Sequence, residues 1–224
     1  MVPLPAENGG GCPALRPVYT ACMVTIVDYG SGNLRSVQKA FERLGVAASI
    51  TDDPQAVAAA RRLVLPGVGA FGDAMRELHA RGLVAPILEH IRADRPFFGI
   101  CMGLQLLFET GWEGGRHAGL GVLAGDVARF DLPSGMKVPH MGWNTVSWSG
   151  TDFPESSVGG GRYFYFVHSY HARPADPAVV AATTDYGGPF CSAVRRGRLF
   201  ATQFHPEKSQ AVGMQLLKTF VRET

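Results

Sequence analysis

Cys101 has a glycine two residues away on each side, in Gly99-Ile100-Cys101-Met102-Gly103. The apolar stretch Pro96-Phe97-Phe98 ahead of it suits a buried strand, and Leu104, Leu107 and Phe108 after it recur at helical spacing. A thiol at such a strand-to-helix turn is the cysteine form of a nucleophile elbow: glycines let strand and helix close up, and the side chain is pushed outward. The free N–H groups and positive dipole end of the following helix would favour thiolate, the nucleophilic form. The elbow alone names no reaction, because a buried cysteine packed in a strand-helix junction has the same outline.

A cysteine nucleophile needs a base that takes its proton and returns it to the leaving group, and the base needs an orienting partner. Among the seven histidines, His205 closes the strand-like run Leu199 to Phe204, and Glu207 follows across Pro206. In extended backbone such residues face the same way, and proline restricts the rotation between them, so Glu207 can hold His205. A bare His-x-Glu also describes a surface ion pair; the elbow cysteine makes a Cys101-His205-Glu207 triad the preferred reading. Acyl transfer further needs an oxyanion hole. The Met102 N–H, next after the nucleophile, is one natural donor. The loop Pro66-Gly67-Val68-Gly69 after a central strand offers the backbone of Gly67 or Val68 as the second, unless its glycines merely turn the chain.

These residues must be carried by a scaffold of ordinary size, since 224 residues suit a single α/β domain. Residues 1–22 hold four prolines, a glycine triplet and one arginine without apolar periodicity, and read as a disordered tail. Met23 immediately precedes the first good strand, so the biological start lies there or the tail is dispensable; the domain is expected over 23–224. Val24 to Asp28 reads as a strand, and Leu34, Val37, Phe41 and Leu44 as one face of a helix. Tyr29-Gly30-Ser31-Gly32-Asn33 between them lacks the third glycine of a dinucleotide loop, Arg35 standing in its place. A strand over Ala47 to Ile50, a helix capped by Asp53-Pro54 and running through Arg61, a strand over Leu63 to Leu65 and helices over Asp73 to Arg81 and Leu83 to Arg92 follow. This alternation predicts a mostly parallel central sheet with helices on both faces. Beyond Trp112, shorter strands are expected over Val127 to Phe130, Val138 to Met141, Asn144 to Trp148, Arg162 to Val167, Val179 to Thr183, Phe190 to Arg195 and Leu199 to Thr202. Several of these read as antiparallel, with 151–161 a polar loop and an amphipathic helix at the end.

Net charge is +2 and the basic residues are scattered, which is no nucleic-acid footprint. The four cysteines have no C-x-x-C spacing, so neither a disulfide framework nor a zinc site is indicated and a reducing, cytoplasmic compartment is expected. No apolar run approaches the roughly 20 residues that cross a bilayer.

Gly99 to Glu109 together with Gln203-Phe204-His205-Pro206-Glu207-Lys208-Ser209 resembles the class I, triad-type glutamine amidotransferases. Within them, Asp28 to Leu34, Pro66 to Phe71, His140-Met141-Gly142-Trp143-Asn144 and Tyr165 to Tyr170 resemble the glutaminase subunits of imidazole glycerol phosphate synthase, in histidine biosynthesis. The likeness runs from Met23 to the C-terminus. It implies that Cys101 attacks the side-chain amide of glutamine, His205 protonates the departing ammonia, and water releases glutamate from a thioester. It also implies that Gln105, Glu113, Ser169 and Tyr170 hold the substrate, with no cofactor or metal. Without the family, Gln105 could equally cap its helix and Glu113 could be exposed. The partner implied is a cyclase subunit, a (β/α)8 barrel, in a heterodimer, with Met141, Trp143, Asn144, Tyr165 and Lys208 at the interface. Read without the family, Trp143 fits a core position slightly better. Rival readings are the glutaminase of another synthase, a γ-glutamyl hydrolase, or a catalytically silent docking subunit.

Overall fold

The computed structural model describes residues 23–149 and 163–222. The expected tail over 1–22 and the polar loop over 151–161 lie outside the described residues. The first half alternates β1 (Met23–Val27), α1 (Leu34–Arg43), β2 (Ala47–Thr51), α2 (Pro54–Ala58), β3 (Leu63–Gly67), α3 (Phe71–Ala80), α4 (Val84–Arg92), β4 (Phe97–Cys101) and α5 (Met102–Gln105). The second half is strand-rich: β5 (Phe108–Gly111), β6 (His117–Ala118), β7 (Leu123–Arg129), β8 (His140–Thr145), β9 (Ser147–Trp148), β10 (Tyr163–His168), β11 (Tyr170–Pro174), β12 (Val180–Asp185), β13 (Pro189–Arg196) and β14 (Leu199–Thr202). A one-turn 3-10 segment, Pro206–Lys208, and α6 (Gln210–Arg222) complete it.

One large sheet carries the order β2-β1-β3-β4-β14-β13-β11-β7-β5-β6, with β12 and β9 attached beside β13. The run β2-β1-β3-β4-β14 is parallel throughout, and from β13 onward antiparallel pairs dominate. Side chains alternate faces along a strand, and here both faces are covered. Leu63, Leu65 and Phe97 enter a core with Leu78, Ile87 and Ile91 of α3 and α4, whereas Val64, Phe98 and Ile100 enter a second core with Phe41 of α1 and Phe220 of α6. This confirms the α/β class with helices on both faces. β8 and β10 form a separate antiparallel ribbon over the second core, with Phe164 and Phe166 turned inward.

Several local expectations are corrected. The helix after the elbow is one turn long, and Phe108 opens β5 instead of continuing it. Leu104, Leu106, Leu107 and Phe108 are all fully buried, and a continuous apolar run does not distinguish helix from strand. Pairing of Phe108–Gly111 with β7 decides the matter. Asp53 does cap α2, accepting from the Gln55 N–H at 2.9 Å, but the helix ends at Ala58. β3 runs on through Pro66 and Gly67, two residues into the expected loop, because β4 pairs with it up to Cys101. The strands expected on either side of Trp143 join there into β8, His140–Thr145, paired residue by residue with β10, while the end of the second, Ser147–Trp148, is the separate β9 paired with β12. β11 had no clear sequence signal, and β7 begins earlier, at Leu123.

Candidate active site

β4 and β14 are parallel neighbours in register, Ile100 opposite Thr202. Chains leaving such strands emerge side by side at the sheet's carboxyl edge, where open α/β folds place their chemistry. Cys101 ends β4 and His205 lies three residues beyond β14, so two residues 104 apart in sequence meet there. Cys101 takes φ +55° and ψ −105°, a conformation L residues rarely adopt. The close packing of the elbow makes it tenable: a Cβ on Gly103 would lie 1.8 Å from the Leu65 carbonyl oxygen, and one on Gly99 2.8 Å from the Gly103 carbonyl. The paired glycines are therefore required by backbone contact with β3 and within the turn.

His205 and Glu207 form the expected pair, Nδ1 to Oε1 at 2.9 Å, with side chains 3% and 1% exposed. The geometry differs from the extended one expected, since Pro206 and Glu207 lie in the 3-10 turn. The His205 backbone is fixed by β10: its N–H donates to the Tyr165 carbonyl at 2.9 Å, while the Ser209 hydroxyl donates to the His205 carbonyl and accepts from the Tyr165 N–H. Burial by itself would lower the imidazole pKa. The charge of Cys101 and hydrogen bonding outweigh it, joined by Glu207, and raise it to about 10. Nε2 has no partner in full hydrogen-bonding geometry, so its coupling to Cys101 is chiefly electrostatic. An imidazole held protonated at neutral pH is a ready general acid.

The pocket in front of Cys101 encloses about 340 Å³, and its walls include Met102, Val68, Gln105, Glu113, Ser169 and Tyr170. All four expected substrate-binding residues and two of the three expected oxyanion residues thus line one cavity with the thiol. The third, Gly67, stands opposite Cys101 in the β3–β4 register. A side chain there would collide with the Tyr29 hydroxyl at 1.8 Å and the Met102 Cβ at 2.9 Å. The next residue is tethered too, for the Ser31 hydroxyl donates to the Val68 carbonyl. Gln105 is no helix cap: its amide nitrogen donates to the Tyr170 carbonyl and to Gln203 Oε1, both at 3.0 Å. The Glu113 carboxylate is partly buried and accepts from the Phe71 N–H at 2.8 Å, tying the turn after β5 to the start of α3.

The five expected interface residues gather on and beside the β8–β10 ribbon. Met141 is 66% and Trp143 46% exposed, which overturns the core reading of Trp143. Trp143 and Tyr165 face each other across the ribbon in an edge contact, and the Lys208 ammonium sits 5.7 Å from the Tyr165 ring centroid. Asn144 is tied inward, donating to the Asp185 carbonyl at 2.9 Å. Sequence reasoning passed over Gln203, which is fully buried and 3.7 Å from the Cys101 sulfur. A lone amide within the apolar run Leu199 to Phe204 was the available signal.

Residues 25–224 match the family model for class-I glutamine amidotransferases. A chain of Rhodopirellula baltica described as imidazole glycerol phosphate synthase subunit HisH is 62% identical over 200 residues, covering 88% of this chain and 96% of that one. The HisH subunit of Syntrophotalea carbinolica is 54% identical over 203 residues, covering 88% and 98%. Among solved structures, a glutamine amidotransferase superimposes with a TM-score of 0.66 at 21% identity over 88% of this chain and 96% of the other. PurLQS from Thermotoga maritima does so with 0.65 at 18% over the same shares; at these identities the likeness is one of fold. By the span of the family match and the identity to these relatives, the chain belongs to the class-I glutamine amidotransferases and, within them, to the HisH subunits of imidazole glycerol phosphate synthase.

Proposed function

We propose that this chain hydrolyses glutamine through a Cys101-His205-Glu207 triad and delivers the ammonia to a cyclase partner that forms imidazole glycerol phosphate. The observation that carries the reading is the meeting of Cys101 with the His205–Glu207 pair at the shared carboxyl edge of β4 and β14, beside a cavity of about 340 Å³. Cys101 Sγ attacks the side-chain carbonyl carbon of glutamine. The oxyanion is received by the Met102 N–H and by a backbone N–H of the Gly67–Val68 segment. As the tetrahedral species collapses, the His205 imidazolium gives its proton to the leaving nitrogen and ammonia departs, leaving a thioester. Neutral His205 then takes a proton from water, hydroxide adds to the thioester, and glutamate leaves with the thiolate restored. Glu207 keeps the ring oriented and stabilises its charged form. Gln105 and Glu113 hold the α-amino and α-carboxylate groups, with Ser169 and Tyr170 lining the same pocket.

The partner is a (β/α)8-barrel cyclase in a heterodimer within the cytoplasm, and it docks on the face built by Met141, Trp143, Asn144, Tyr165 and Lys208. Exposed aromatic and methionine side chains on a rigid ribbon are the residue types that dominate interface energetics. In a glutaminase assay with cyclase present, Cys101→Ser and His205→Ala lose hydrolysis while keeping the parent's circular dichroism, and Glu207→Gln retains a fraction. Substantial activity in purified Cys101→Ser would overturn the triad.

A further inference from the structure

The helix after Cys101 has a single turn, Met102–Gln105, too short to supply the dipole expected to hold a thiolate. A different group meets the sulfur. Gln203 Nε2 lies 3.7 Å from Cys101 Sγ, and the side chain is fully buried. Which end of that amide faces the sulfur is fixed by a chain of bonds behind it. The Tyr170 carbonyl can only accept, so the Gln105 group 3.0 Å away is its NH2. The same NH2 lies 3.0 Å from Gln203 and must meet its oxygen, which turns the Gln203 NH2 toward the sulfur.

The acceptor on Tyr170 is itself held from the far side. Asn144 accepts from the Thr145 N–H at 2.8 Å and donates to the Asp185 carbonyl, so its nitrogen also faces His140 Nε2 at 3.2 Å. The His140 proton is then on Nδ1, donated to His168 Nε2 at 3.0 Å, and the His168 proton is on Nδ1, donated to the Tyr170 carbonyl at 2.8 Å. Both rings are thereby neutral, and burial holds their pKa values down at about 4 and about 3. The direction of each link is thus fixed, with His168 and Gln105 both donating to the Tyr170 carbonyl.

We infer that Gln203 is a further residue of the catalytic centre, its side-chain N–H donating to the Cys101 sulfur and stabilising the thiolate before attack and after thioester hydrolysis. The inference rests on Cys101 being the nucleophile. Other titratable groups acting on the sulfur or its partner ring are His205 with Glu207 behind it, the buried Tyr29 hydroxyl and, through His205, His168. None of these groups shares a hydrogen bond with the Gln203 side chain, whose partners are Gln105 and the Cys101 sulfur.

The test is the pH dependence of iodoacetamide alkylation at Cys101 in the full chain, followed by mass spectrometry of the Cys101 peptide. Hydrogen bonds to charged groups are strong enough that losing one moves an ionisation by about one pH unit. Gln203→Met, similar in length but without a donor, should alkylate roughly tenfold more slowly at pH 7, with the alkaline plateau unchanged. Gln203→Glu, which sets a carboxylate against the sulfur, should move the midpoint further up. A purely structural role would alter the plateau or the melting temperature and leave the midpoint in place. Should both variants misfold, the Gln203 side-chain amide resonances of the unsubstituted chain give the same readout. They should shift with the alkylation midpoint and lose that step in Cys101→Ala. A parent-like midpoint in either folded variant, or resonances indifferent to Cys101 ionisation, overturns the inference. Retained hydrolysis in Cys101→Ser would instead overturn the triad beneath it.

Discussion

Acidification should unfold this protein through three buried neutral histidines. His90, His140 and His168 are 0%, 3% and 6% exposed. Burial leads the causes that lower their pKa values from 6.5 to about 4, about 4 and about 3. The unfolded chain takes up a proton at each near pH 6.5 and the folded chain does not, so the stability they allow is complete above pH 6.5. It is lost progressively as pH falls toward their folded values. Each such group changes the unfolding free energy by about 1.4 kcal/mol per pH unit, and three acting together give about 4 kcal/mol per unit between roughly pH 6 and pH 4. Against a typical domain stability of about 5–15 kcal/mol, two units of acidification remove most of the margin. Urea unfolding of the full chain at pH 7, 6 and 5 reads the slope directly. His90 allows a control, because its Nε2 donates to the Pro96 carbonyl at 2.9 Å while Nδ1 has no partner. His90→Gln keeps a donor but cannot titrate, so its slope should fall by about a third whatever its absolute stability. Stability that stays flat from pH 7 to 5, or an undiminished slope in His90→Gln, would refute the reasoning. His205 acts in the opposite sense: with its pKa raised to about 10, its contribution is complete below pH 6.5 and fades as pH rises through about 10.

Gly103→Ala would place a methyl group 1.8 Å from a backbone oxygen of β3; it should cost about 3 kcal/mol or more, and a parent-like urea midpoint would contradict the close approach. Adding cyclase with an acceptor analogue should raise glutamine hydrolysis by about 100-fold or more, mainly in kcat, if docking frees the tethered Val68 segment to complete the oxyanion hole. Full steady-state activity in the isolated subunit would exclude such control. Deleting residues 1–22 should leave kcat/KM and the melting temperature nearly unchanged, the family match starting at residue 25; a large loss in either would assign the tail a role.

The local chemistry was legible because it is local. Glycines two residues either side of Cys101, and a carboxylate two residues after His205, are short-range patterns, and strand-helix alternation up to Cys101 follows from periodicity in the same way. Apolar runs that suit more than one state were not legible. Leu104 to Phe108 reads as helix until β7 pairs with its end, and Trp143 reads as core until the ribbon turns it outward. By itself the sequence determined which residues could react, the α/β class and the family motifs. Only the tertiary structure decided that β14 lies beside β4, which brings His205 to Cys101 across 104 residues. It alone also decided that Gln203, a plain polar residue in a strand-like run, points its amide at the sulfur. Adjacency of strands distant in sequence, and the direction of each buried hydrogen bond, follow from packing the whole sheet at once.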